Sequence, residues 1–291
     1  MTPSPRPYFP SDPHHPDLEQ LIEQAVLRCN AERPDSQVYA LVHACLDAPW
    51  AQDLWSASQR MPHAIQPLYQ DTPLAESGAY SPFLFPLPRR ELVPLLIQTG
   101  SLPVLSLIQS SLTLDHLRRH LARFIQVGTG DGAWFAALWC APLCVEELIA
   151  AMDPPCKALL LSGFDAWHLI NRTGTLDTVQ GGGEPVLTGA VEGMTDDGFI
   201  VSEKALAELM DAFEADALLT TEARRTPGLV QGRRPSVLHD MARRVLREMD
   251  RLHLQGAPLR RRLLLTALER ESAEAAFACL AAHVARTSTA R

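Results

Sequence analysis

Lysine is almost missing from this 291-residue chain: Lys157 and Lys204 are its only two, and the rest of its 26 basic residues are arginine. With abundant Ala, Leu and Pro, that bias fits a GC-rich genome better than it fits any function. No apolar run approaches the roughly 18 residues that a membrane span needs, so no membrane insertion is expected. Met1-Thr2-Pro3-Ser4-Pro5-Arg6-Pro7 lacks the charged-then-apolar layout of a signal peptide, and a cytoplasmic location is expected. The six cysteines are scattered and without secretory context, which argues for reduced thiols rather than a disulfide framework. No G-x-S-x-G elbow occurs, and no H-E-x-x-H pair.

What is present describes an ordinary globular protein, 46% apolar and 21% charged. Its charge is uneven. Residues 224–291 hold 14 arginines against 6 carboxylates, a net of +8, whereas residues 1–223 hold 12 basic and 28 acidic residues, a net of −16. Such an asymmetry implies lobes that attract each other or a basic surface with an acidic partner.

Six prolines in residues 1–17 read as an extended or disordered leader. A helix is expected over 17–31, with Asp17 placed to cap it. A buried strand over 37–45, a helix over 49–59, and extended segments at 64–69 and 82–87 follow. Helices over 89–98 and 114–124, the latter capped by Thr113, flank a buried strand at 102–109. Strands alternating with helices at this spacing indicate an α/β (α+β) fold, a mixed-sheet lobe with flanking helices over 18–171. Residues 172–200 are turn-rich and read as a linker or short hairpin. From 201 to 291 the pattern is all helical. Ser202 is the first cap, with Leu206, Leu209, Met210 and Phe213 on one stripe. A second helix from Ser236 carries Leu238, Met241, Val245, Met249 and Leu252 on one face, and Gly256 and Pro258 mark the passage to a third.

Several constellations bear on chemistry. Gly128-Thr129-Gly130-Asp131-Gly132 resembles a phosphate cradle in composition, but aromatic Trp134 and Phe135 follow where a helix should start, so a hairpin turn is expected. His116 and His120 lie one helical turn apart, with Leu117 in the position a metalloprotease gives to glutamate; a solvated helix face is expected. Cys140 and Cys144, with Cys156 nearby, lack a fourth zinc ligand and read as buried thiols. His14-His15 lies in the leader, without an expected partner. No catalytic, cofactor-binding or metal-binding residue is therefore assigned, and the chain is expected not to be an enzyme. Arg243, Arg244, Arg247 and Arg251 fall opposite the apolar face of their helix and form the candidate partner-binding face. Arg260-Arg261-Arg262 would open the next helix in a helix-turn-helix arrangement, which raises nucleic-acid binding, although the acidic body would repel phosphate.

Taken in order, Tyr39-Ala40-Leu41, Leu68-Tyr69-Gln70-Asp71-Thr72-Pro73, Ser81-Pro82-Phe83-Leu84 and Leu117-Arg118-Arg119-His120-Leu121-Ala122-Arg123-Phe124 resemble the effector-chaperone (adaptor) family of bacterial type VI secretion systems. Two departures stand out: His43 where an acidic residue often follows the first strand, and Trp134–Pro142 without the Arg and Asp of the family's hairpin. The resemblance implies a non-catalytic chaperone with no cofactor. Its partners would be a cognate toxic effector, held in the cytoplasm, and the VgrG spike protein onto which the effector is loaded; nucleic acid is not expected among them. The alternatives are a small hydrolase-like enzyme with an unrecognised site, or a nucleic-acid-binding regulator acting through the Arg-rich C-terminal helices.

Overall fold

The computed structural model describes residues 11–100, 102–137, 141–182, 193–254, 256–272, 274, 276–278 and 281. Its strands are β1 Gln37–Val42, β2 Gln66–Pro67, β3 Phe83–Pro86, β4 Leu105–Ser110, β5 Gln126–Gly128, β6 Trp134–Ala136, β7 Ala166–Ile170, β8 Leu176–Gln180 and β9 Phe199–Ile200. Its helices are α1 Leu18–Glu32, α2 Ala48–Arg60, α3 Arg89–Thr99, α4 Leu114–Ala122, α5 Pro142–Ala151, α6 Pro154–Leu161, α7 Glu203–Arg225, α8 Pro235–Arg251 and α9 Ala257–Arg270. The fold is α+β. The chain divides into two compact units, Pro13–Leu209 and the described residues of Met1–Asp12 with Met210–Arg291.

In the first unit a six-stranded sheet runs β2-β3-β1-β4-β7-β8 with every neighbouring pair antiparallel. A second, mixed sheet runs β6-β5-β9, β5 pairing antiparallel with β6 and parallel with β9. β4 is buried at all six positions, its polar Ser106, Gln109 and Ser110 as well as its apolar Leu105, Leu107 and Ile108. On one face, Ala40 and Val42 of β1 and Leu105 and Leu107 of β4 pack with Leu18 and Ile22 of α1, Ala51 of α2 and Leu92 of α3. On the other, Trp167 donates its indole N–H to Ser106 Oγ at 2.9 Å and meets Phe164 edge-on.

β2 is shorter than the extended segment expected over 64–69, because Pro67 has no N–H to continue a ladder. Of the linker or short hairpin read over 172–200, residues 172–182 contain a hairpin turn and its second strand. Asn171 Oδ1 accepts the Thr173 and Thr175 amides and closes a tight turn that returns β8 to β7 as an edge strand of the large sheet. Gly174, at φ 76°, leaves no room for a Cβ, which would lie 2.2 Å from the Pro13 carbonyl. The rest of the glycine-rich stretch, 183–192, lies outside the described residues.

A polar chain crosses this core. His168 Nε2 donates to Gln109 Oε1 at 2.7 Å, and Gln109 Nε2 donates to Asn30 Oδ1 at 3.0 Å. His168 Nδ1 meets Thr178 Oγ1 at 2.9 Å, so α1, β4, β7 and β8 are joined by side chains as well as by the ladder. The network keeps buried amides and imidazole satisfied and fixes which strand lies beside which.

In the helical unit Ala215 and Leu219 of α7, Leu238, Ala242 and Leu246 of α8, and Leu264 and Leu268 of α9 form one core. Ser202 caps α7 by accepting the Ala205 amide, and Gly256, at φ 115°, precedes α9 with Pro258 in its first turn. Met210, placed on the apolar stripe by its spacing, is 68% exposed instead.

Burial pushes His43 down to about 4, and burial followed by the nearby Arg28 charge does the same to His168, against about 6.5 for a free imidazole. The unfolded chain therefore takes up protons that the folded chain refuses as pH falls from about 6.5 towards 4. Stability should be complete above that window and drop within it, by up to about 3 kcal/mol per histidine. Urea midpoints measured between pH 7 and pH 4.5 should fall steadily; a flat profile would show that these imidazoles accept protons without disturbing the core.

Candidate functional site

The stretches that carry the family resemblance meet in space. β1, which holds Tyr39-Ala40-Leu41, pairs with β3, which holds Phe83-Leu84. The Leu68 amide donates to the Pro82 carbonyl at 2.8 Å, and the Tyr69 amide donates to Ser81 Oγ at 3.0 Å. Within the loop, Thr72 Oγ1 donates to the Tyr69 carbonyl at 2.6 Å and accepts the Leu74 amide. Asp71 takes a left-handed conformation, φ 62°, which short polar side chains tolerate best after glycine.

Arg118 ties this loop to α4. Its side chain is 6% exposed; Nη1 donates to the Gln70 carbonyl at 2.9 Å and Nη2 to Asp71 Oδ2 at 3.3 Å. Thr113 caps α4 through the His116 amide, so the arginine projects from a helix with a fixed start. A buried guanidinium persists only where its donors are satisfied, and here a backbone carbonyl and a carboxylate satisfy them.

Beside the loop lies a groove of about 430 Å³. Trp55, Ser58 and Gln59 of α2 form one wall, and Gln70 and Asp71 belong to the opposing loop. Asp71 is its only charged lining residue among the described ones, and its side chain is 71% exposed. Gly78 lies under the Trp55 ring; a Cβ there would come within 2.5 Å of it. A second, more apolar cavity of about 270 Å³ lies between α1 and α3 over Val38 and Leu107, with the Glu23–Arg89 ion pair among its lining residues.

The arginines proposed from sequence stand on α8. Arg244, Arg247 and Arg251 are exposed and Arg243 is half-buried. Arg244 pairs with Asp240 at 3.4 Å, and Arg251 donates through Nε to Glu248 at 2.8 Å, so two of the four are answered from their own helix. Arg247 has no ion-pair partner among the described residues.

The arginines around them serve the helical unit itself. Arg261 donates to buried Glu222 at 2.5 and 3.0 Å, and hydrogen bonding by Arg261 holds the Glu222 carboxyl below the usual range. Arg260 bridges Glu214 and Asp250, each at 2.6 Å. Arg233 donates to the Leu268 carbonyl at 2.8 Å. Two arginines of the Arg260-Arg261-Arg262 triplet are thus spent on α7 instead of being displayed as a nucleic-acid reading head would require.

α8 lacks a side-chain cap from its own N-cap residue. Asp12 supplies one from the far end of the chain. Its Oδ1 accepts the Ser236 amide at 2.9 Å, while Oδ2 accepts Ser236 Oγ at 2.6 Å and Arg234 Nε and Nη2 at 2.9 and 2.6 Å. Burial pushes this carboxyl up, but the bonds from Ser236 and Arg234 outweigh it and leave it below its ordinary value. Residues 11–17 therefore depart from the disordered leader expected over 1–17. His15, read as partnerless, donates its amide to the Gly174 carbonyl at 2.9 Å and accepts the Asp17 amide on Nδ1. Asp17 precedes α1, but its side chain makes no capping bond. Residues 1–10 lie outside the described residues.

The remaining constellations resolve individually. β5 and β6 form the expected hairpin, and Asp131 takes the Thr129 hydroxyl and the Ala133 amide, the donors a phosphate would need. His116 is exposed, but His120 is not on a solvated face: it is buried and donates to the Leu160 carbonyl at 2.9 Å. No group of three or more His, Cys, Asp or Glu among the described residues is placed to hold a metal ion. Cys144 and Cys156 are buried, while Trp139, Cys140 and Cys279 lie outside the described residues. No described helix is long and apolar enough to cross a membrane. Asp12, the Trp55 groove and the Gln109–His168 pair escaped the sequence reading, although a polar residue inside an apolar strand, as Gln109 is, is a signal that could have found the last.

Residues 38–158 match the model of a family described as Domain of unknown function (DUF4123). All the stretches on which the resemblance rests fall inside that match. No curated protein and no solved structure matches the chain.

Asp12→Ala should destabilise the helical unit by about 2–3 kcal/mol, because it removes the cap of α8 and leaves the Ser236 amide and hydroxyl without their acceptor. Thermal unfolding followed by circular dichroism at 222 nm checks this. A change within error would mean that water replaces the carboxylate.

Proposed function

We propose that this chain is a type VI secretion effector chaperone: it binds a toxic effector in the cytoplasm and helps load it onto a VgrG spike protein, without catalysing a reaction. The observation that carries this reading is the match of residues 38–158 to a domain family associated with type VI effector adaptors. The arrangement of the matched region supports it. Among its described residues the shared stretches form a bonded surface loop beside a groove, and not a convergent set of nucleophile, base and oxyanion donors. A preorganised surface suits protein recognition, where apolar anchors exclude water and charges select the partner.

The four arginines of α8 are proposed as a contact face for an acidic surface of one of these partners, with Arg247 bearing the charge least engaged within the helix. The nucleic-acid alternative has less support, since Arg260 and Arg261 are held by carboxylates of the helical unit.

A tagged full-length chain recovered from cells with an active type VI system should bring down a spike protein and an effector, identified by mass spectrometry. The spike should be lost when the effector gene is deleted. Recovery of the chain alone under those conditions would contradict the adaptor reading.

A further inference from the structure

The groove beside the Gln70–Asp71 loop has the features of a peptide-recognition cleft. It is set before any partner arrives: Arg118 fixes the loop through the Gln70 carbonyl, and Gly78 allows Trp55 to lie flat against the turn Ala75–Tyr80. Binding there would spend little on ordering the wall. Trp55 is half-buried, an aromatic anchor of the kind that dominates interface energetics. Gln59 and Gln70 are exposed amides, each able to donate to and accept from an extended backbone.

Charge decides which side chain the cleft favours. Asp71 uses Oδ2 for Arg118, and its Oδ1 accepts no hydrogen bond among the described residues. The unit that holds the groove has 11 basic residues against 23 acidic ones over Pro13–Leu209, a net of −12. A field of that sign draws cationic segments towards the surface and speeds their encounter.

We propose that this groove takes an extended segment of the effector, which places an arginine or lysine on Asp71 and an apolar or prolyl residue against Trp55. The assignment rests on the adaptor reading and deepens it by locating the effector contact on the acidic unit rather than on the arginines of α8.

The test uses the full chain and the effector recovered with it. A photo-reactive p-benzoylphenylalanine is placed at Gln59, at Leu27 beside the apolar cavity, or at Arg247 on α8. In parallel, effector affinity is measured by calorimetry for Asp71→Asn and Asp71→Lys. Asparagine tolerates the left-handed backbone of Asp71 and keeps an amide oxygen that can accept from Arg118, so that variant removes charge, and hydrogen exchange over residues 66–80 checks that the loop keeps its shape.

The groove assignment expects effector cross-links from Gln59 and not from Leu27. It also expects about tenfold weaker binding for Asp71→Asn and a greater loss for Asp71→Lys. Wild-type affinity in both variants, with cross-links confined to Leu27 or Arg247, would overturn the groove while leaving the adaptor reading intact. Failure of the wild-type chain to bind any effector would overturn both.

Discussion

The matched region is organised around one buried cation. Arg118 projects from α4 into a site where its guanidinium is almost wholly removed from water, and desolvating that charge is tolerated only because a fixed carbonyl and a carboxylate receive it. The constraint acts in both directions. The Gln70–Asp71 loop must stay where the guanidinium needs it, and the loop is in turn bonded to Ser81 and Pro82, which lead into β3 and so to β1. Segments far apart in sequence thereby share one geometry. That accounts for a resemblance carried by the order of several short, individually unspecific stretches instead of by a reaction centre.

The same logic of satisfied charge shapes the helical unit, with a different outcome. Dividing the charge at residue 223 leaves a tail of net +8, which looks like a surface seeking an acidic partner. The compact unit instead spans Met1–Asp12 and Met210–Arg291, so it takes in Asp12 and most of α7, and its sequence counts 15 basic residues against 11 acidic ones, a net of +4. Glu214, Glu222 and Asp12 engage Arg260, Arg261, Arg225 and Arg234 in ion pairs within the unit, although of these only Arg260 is largely buried. Part of the apparent basic surface is thus neutralised by carboxylates of the same unit, and what remains on α8 is a narrower face than composition implies.

Elements set by local rules were legible in the sequence. The strands at β1, β3 and β4, the helices α1 to α4 and the break at Gly256 follow from periodicity, caps and turn residues, all of which act within a few positions. Interactions between distant positions were not. Asp12 caps a helix more than two hundred residues away, and no spacing rule connects them. His120 looked solvated because polar residues surround it in sequence, but its buried side is set by α6, whose Leu160 carbonyl accepts a hydrogen bond from its Nε2. The groove was invisible for the same reason: Trp55 and Asp71 acquire a common purpose only when α2 and the loop are brought together. Gln109 and His168 went unread as well: their polar character inside buried strands implies a partner, but the pairing depends on β4 and β7 lying side by side.

Hydrogen exchange across residues 66–80, in the wild-type chain and in Arg118→Ala and Arg118→Lys, tests most directly whether the buried guanidinium organises this surface. Loss of the clamp should speed amide exchange in the loop by about tenfold or more while β1 and β4 keep their protection. Lysine should fail to restore it, having no planar fork to reach both acceptors. Unchanged loop exchange in both variants would contradict the account, because the loop would then hold its shape without the cation.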